Sequence, residues 1–210
     1  MEPFTVVGGA AAPLPAANID TDVIMPKRYL KGVDRGGLRD GVFHDLRFDA
    51  AGRPDPTFIL NRPGWLGALF LVVGPNFGCG SSREHAVWGL RQLGVRALIG
   101  TSFAGIFFDN CARNGLLAVT LPPQEAADLL TLVSDPHSNR MMIDLEGQTL
   151  GTVRGEIAFD IDPLLKAMLL EGLDSVGATL KAADKIRRFE RGYLATRPWL
   201  TIPLGAPRRP

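Results

Sequence analysis

The 210-residue chain is poor in several things at once. It holds two cysteines, Cys79 and Cys111, far apart and without a CxxC pair. That excludes a disulfide-stapled scaffold and a cysteine zinc site, and two thiolates cannot supply the usual ligand set of an iron–sulfur cluster. Excess charge is also missing. The 23 Lys and Arg residues against 22 Asp and Glu leave a formal net charge of +1. No basic field points to nucleic acid, and Arg208-Arg209 reads as a solvated tail. Long apolar runs are absent. The strongest, Leu66 to Val73, suits a buried strand and falls far short of a bilayer span. The first residues lack the basic and apolar regions of a secretion signal. The expectation is therefore a cytoplasmic protein with neither a membrane nor a nucleic acid as partner.

What is present is an ordinary globular composition, 46% hydrophobic and 21% charged, long enough for one domain with a sizeable core. Val6-Val7 begins a possible strand. Residues 18–26 form a polar turn leading into a short apolar piece. Residues 31–41 contain four glycines and no periodicity, the signature of a mobile loop of the kind that often carries function. The middle reads β-α-β-α-β. A strand at 68–73 breaks at 74–80, and a helix follows with Ala86, Leu90 and Leu93 on one face, stopped by Gly94. A strand at 95–99, a short helix from Ile106 to Arg113 and a strand at 116–121 complete the unit. Such runs pair in parallel with right-handed crossovers. Pro122-Pro123 opens another helix, with Ala126, Leu129, Leu130 and Val133 inward. Short antiparallel strands are expected at 141–145, 148–153 and 156–159. Asp162-Pro163 starts a helix that Gly172 stops, and a last helix covers 182–195. The Pro-rich end after Arg197 is expected to be extended. The fold class is α/β in a single domain of mixed sheets.

The chemistry concentrates in Gly78-Cys79-Gly80-Ser81-Ser82-Arg83-Glu84-His85-Ala86. A glycine-rich loop leaves a strand and enters a helix, whose first N–H groups and positive dipole end favour an anion. Two hydroxyls and a guanidinium stand at the same point, and Arg83 could grip a carboxylate with its planar fork. Ser81 and Glu84 also fit a plain capping box, N-cap to N3. The P-loop lysine, the third glycine of GxGxxG and the GxSxG elbow are all absent. His85 lies one turn after Ser81, so a stand-alone serine hydrolase is one alternative and a non-catalytic anion-binding module another.

Four blocks together resemble a known family. Asn18-Ile19-Asp20-Thr21-Asp22, the stretch from Asn76 to Ala86, Ser102-Phe103-Ala104 with Ile106-Phe107, and 172–177 are similar in order and spacing to the small subunit of bacterial 3-isopropylmalate dehydratase. They also resemble the swivelling C-terminal domain of aconitase. The resemblance implies a three-layer β/β/α swivelling domain over residues 1–196, with 197–210 as a tail. It implies Ser81 as catalytic base and Ser82 and Arg83 as ligands of a substrate carboxylate. Arg35 is implied as the loop arginine that recognises substrate, with Arg28, Lys31 and Arg39 in competition. Asp22 and His85 are implied in supporting positions, though His85 equally suits a packed or capping role. Asp20 and Asp22 equally suit a turn bonded to its own backbone.

The resemblance further implies a hydro-lyase of leucine biosynthesis, interconverting 2-isopropylmalate and 3-isopropylmalate through 2-isopropylmaleate. It would be active only as a heterodimer with a large subunit that holds a [4Fe-4S] cluster, with no metal in this chain. Small subunits of homoaconitase and of citraconate or dimethylmaleate hydratases share the pattern. Leu30, Val33 and Leu38 are candidate walls for the apolar end of a dicarboxylate substrate, and the 31–41 loop is a candidate lid. His44 and His137 are expected at the surface.

Overall fold

The structure, a computed structural model, describes residues 1–30 and 36–201. The chain divides into two compact units, Met1–Asp174 and Ser175–Pro210. Strand β1 (Val6–Leu14) organises the first unit because its two halves serve different partners. Residues 6–10 pair antiparallel with β5 (Arg140–Asp144), while residues 11–14 pair in parallel with β2 (Phe70–Val73). Beyond β2 lie β3 (Ala97–Gly100) and β4 (Leu117–Thr120), all parallel. Beyond β5 lie β6 (Thr149–Thr152) and β7 (Gly155–Ala158), all antiparallel. The sheet order is β4-β3-β2-β1-β5-β6-β7. This is the expected α/β class, with the parallel βαβαβ segment in place.

Two short helices follow β1: α1 (Thr21–Ile24) and α2 (His44–Arg47). The longer α3 (Glu84–Leu93) and α4 (Gly105–Arg113) are the crossovers between parallel strands, and α5 (Pro123–Val133) follows β4. The continuous apolar run of β2 is buried on both faces, which is what a parallel strand between two layers requires. Leu71 and Val73 join Leu98, Ala86, Leu90 and Phe107 in one cluster, on the side of α3 and α4. Phe70 and Val72 join Ile99, Leu129, Ile143 and Leu150 in the other, with α5 and the antiparallel strands. Helix α6 (Pro163–Glu171) is capped by Asp162, which accepts from the amides of Leu164 and Leu165 at 2.9 and 3.1 Å, and it ends at Gly172.

Two local expectations change. Helix α3 does not open at Ser81. Its N-cap is Arg83, in extended conformation and without a side-chain capping bond, so the Ser81–Glu84 capping box is not formed. Gly78 and Gly80 sit at φ +77° and +88°, and the Ser81 carbonyl is tethered to the Thr21 hydroxyl at 2.9 Å. Both hold the loop away from helical geometry until residue 84. In addition, the described part of the glycine-rich 31–41 loop is a packed turn, Arg39–Gly41. Leu38 is 4% exposed in the core and donates its amide to Gln92 Oε1 at 2.9 Å, so it cannot line an open pocket.

The second unit contains α7 (Ser175–Leu180), α8 (Ala183–Ala195) and a 3₁₀ turn, Pro198–Leu200, where an extended tail was expected. No residue of α8 is buried. Phe189 stacks on Tyr193, and the Arg197 guanidinium lies 4.2 Å from the Tyr193 ring centre. Among the described residues no helix is long and apolar enough to cross a membrane.

Candidate active site

The loops leaving the C-terminal ends of β1, β2 and β3 are sewn together, at the edge where open α/β sheets hold their ligands. The Asn18 amide donates to the Pro75 carbonyl, the Gly78 amide to Ile19, and the Thr21 amide to Cys79, at 2.9, 2.8 and 2.9 Å. On the other flank the Ala104 amide donates to Phe77, and the Asn76 amide to the Ser102 hydroxyl at 2.9 Å. Three of the four motif blocks therefore meet in one place. Gly78 is required there: its backbone is left-handed, and an added Cβ would run into the Phe107 ring.

Within this frame Ser81 and Ser82 are exposed, and Arg83 is half-buried. The Arg83 guanidinium forms a two-pronged ion pair with Asp22: Nη1 meets Oδ1, and Nη2 meets Oδ2 at 3.2 Å. Nη2 also donates to Ser81 Oγ at 3.3 Å. The side chain of Arg83 is only 14% exposed against 41% for Asp22, so the pair sits at the rim with its cationic end inward. Lys27 Nζ lies 3.8 Å from the same carboxylate. Hydrogen bonding from Arg83, reinforced by its charge and by Lys27, holds the Asp22 carboxyl below the usual aspartate range. These contacts use three of the five N–H bonds of a guanidinium and leave two, on Nε and Nη1, which point to different edges of its plane.

Asp20 takes the plainer role. It caps α1, accepting from the Val23 amide at 2.7 Å, whereas Asp22 turns to Arg83. His85 does not pair with Ser81: among the described residues the Ser81 hydroxyl takes its hydrogen bond from Arg83, and the His85 ring packs on Trp88 with centroids 4.7 Å apart. That leaves a Ser–His hydrolase without its base. Arg35, Lys31 and Val33 lie outside the described residues.

Sequence reasoning missed two supports and misplaced one histidine. Thr21 is 1% exposed and holds the Ser81 carbonyl. Asn18 and Asn76, both left-handed, lock side chain to side chain at 2.8 Å. His44, expected at the surface, is half-buried, with Nδ1 2.7 Å from the Tyr29 hydroxyl. The first two stand inside recognised blocks, and a polar residue between two aspartates was the available signal for Thr21. Nothing around His44 pointed to Tyr29.

The chain's own residues do not fit an iron–sulfur cluster. Cys111 is buried, with its thiol pushed well up by desolvation, and Cys79 turns its sulfur to the Asn18 carbonyl at 3.4 Å. Among the described residues no group of three His, Cys, Asp or Glu side chains could hold a metal ion.

Residues 1–124 match the family model of the aconitase C-terminal domain, and residues 176–202 match that of the C-terminal domain of the 3-isopropylmalate dehydratase small subunit. A 3-isopropylmalate dehydratase small subunit 1 from Mannheimia succiniciproducens is 60% identical over 202 residues, 96% of this chain and 100% of that one. This chain belongs to the 3-isopropylmalate dehydratase small-subunit family. A second member, small subunit 2 of Salmonella typhimurium, is 53% identical over 203 residues, 97% of this chain and 98% of the relative. The crystal structure of 3-isopropylmalate dehydratase from Methanocaldococcus jannaschii superposes with a TM-score of 0.64 at 26% identity, covering 89% of this chain and 99% of that chain. As a member of the small-subunit family, the chain shares both the domain and the C-terminal segment that the two family models describe.

Proposed function

We propose that this chain is the small subunit of a 3-isopropylmalate dehydratase, a hydro-lyase of leucine biosynthesis that interconverts 2-isopropylmalate and 3-isopropylmalate through 2-isopropylmaleate. The observation that carries the reading is near-full-length likeness to relatives of that name, at 60% and 53% identity, on a chain that sets the Ser81 hydroxyl against the Arg83 guanidinium. The partner is a large subunit in a heterodimer, and the compartment is the cytoplasm. A [4Fe-4S] cluster held by that partner would act as Lewis acid on the departing hydroxyl.

The chain's own residues supply the other half. Ser81 is the base that takes the proton from the carbon next to the hydroxyl-bearing one. A serine hydroxyl is a poor base precursor, and the Arg83 N–H at 3.3 Å from its oxygen favours the alkoxide. Asp22 fixes Arg83 in that position through its two-pronged ion pair. A substrate carboxylate takes one remaining N–H bond of Arg83 and the exposed Ser82 hydroxyl. Arg35 recognises the second polar group of the substrate. His85, at the start of α3 and packed on Trp88 of the same helix, is kept in a supporting position behind the loop.

Co-purification tests the assignment. The chain should bring down a much larger protein carrying a brown, oxygen-labile chromophore, and the pair should turn over isopropylmalate faster than homocitrate-type or citramalate-type acids. Isolation as a lone chain that reacts with a fluorophosphonate probe would overturn it.

A further inference from the structure

At the opposite, N-terminal ends of β2 and β3, two arginines face one small cavity, and among the described residues no carboxylate forms an ion pair with either. The cavity measures about 50 Å³ and is lined by Arg39, Arg47, Leu60, Trp65, Leu66 and Leu93, among others. Its volume suits about three or four water-sized groups, the size of a carboxylate or phosphate head. Arg47 spends Nη1 on the carbonyls of Arg39 and Val42, both at 3.2 Å. Its Nε is buried and has no hydrogen-bond partner among the described residues. Burial weakens its hold on the proton, Asp40 opposes that, and the like charge of Arg39 adds to it. A guanidinium nevertheless stays charged in a protein; the Phe48 ring, 5.0 Å from its carbon, and the Asp40 charge meet part of that charge, and the Nε donor stays unmet. Arg39 is exposed and makes no ion pair among the described residues. The apolar wall is fixed: Trp65 Nε1 donates to the Val133 carbonyl at 2.9 Å. At the end of α3 the Gly94 and Val95 amides donate to the Leu90 and Arg91 carbonyls.

We propose that this cavity is an oxyanion site, taking inorganic phosphate or the carboxylate of a small organic acid whose apolar part lies on Leu60 and Trp65. It lies at the opposite strand ends from Ser81 and does not depend on that assignment; it takes up Arg39, one of the competitors for the substrate-recognising arginine, for a different anion. A bound anion bridges Arg39 and Arg47. It thereby ties the Arg39–Gly41 turn, already held to α3 through the Leu38 amide and Gln92, more firmly to the domain.

The test is the unfolding midpoint of the full chain in an Arg83→Gln background, which removes the catalytic guanidinium as a competing site. Sodium phosphate and sodium 3-methylbutanoate are titrated through the millimolar range at constant ionic strength against chloride. A saturable rise of about 5 °C at a hundredfold excess over Kd is expected for at least one of them. Whichever salt acts identifies the source of the oxyanion. Adding Arg39→Gln, at an exposed position, should abolish the rise, and Arg47→Gln should do the same if it folds. No saturable rise with either salt, or a rise that survives Arg39→Gln, overturns the proposal.

Discussion

Arg83 and Asp22, 61 positions apart in the chain, meet as a two-pronged ion pair whose cationic member also touches Ser81 Oγ. The carboxylate decides where the guanidinium points. Asp22→Asn should therefore act on catalysis more than on folding. The pair is half-exposed at the Asp22 end, so its loss should cost under about 1 kcal/mol of stability. A misplaced Arg83 should lower kcat of the reconstituted complex by about ten- to a hundredfold. Steady-state rates beside urea unfolding curves separate the two effects.

The same pair sets an acid limit. The Asp22 carboxyl is held down in the folded chain by Arg83, so the unfolded chain binds the proton more readily. The stabilisation is complete above the unfolded aspartate value of about 3.9 and is lost as pH falls through the lower folded value. The stability gap between the native chain and Asp22→Asn should be constant from neutrality to about pH 5, then close at more acid pH. A gap that widens on acidification would contradict this.

Gly78→Ala combines a left-handed backbone with a collision against the Phe107 ring. Strain and overpacking together should cost about 2–4 kcal/mol. A lower urea midpoint with unchanged m-value is the expected signature, and Gly37→Ala, which meets open space, should cost less.

The two cysteines should differ sharply. Cys79 is half-exposed, whereas Cys111 is buried with its thiol pushed well above the usual range. One equivalent of iodoacetamide should enter the native chain, at Cys79, and a second only on unfolding. Mass spectrometry of the labelled peptides reads this directly.

Much of this was legible in the residues. The β-α-β-α-β core announced itself through apolar runs bounded by glycines, and Gly94 and Gly172 stop their helices where expected. The convergence of the Asn18 and Asn76 blocks was implied by resemblance; the backbone bonds between residues 18–21 and 75–79 are what bring it about. The start of α3 escapes sequence reading because Ser-x-x-Glu is a local pattern. Long-range tethers, the Thr21 hydroxyl on Ser81 above all, override it. Leu38 escapes it for a similar reason: a glycine-rich neighbourhood hides a residue whose burial comes from packing beside α3 and the 42–43 turn. The double role of β1, parallel at one end and antiparallel at the other, has no local signal, since strand pairing is decided by distant partners.

Ser81→Ala in the reconstituted, cluster-loaded complex is the most direct measurement. The substitution removes one exposed hydroxyl and should leave assembly, chromophore and melting point unchanged while turnover in both directions falls to background. Turnover within about twofold of the native complex would show that another group takes the proton.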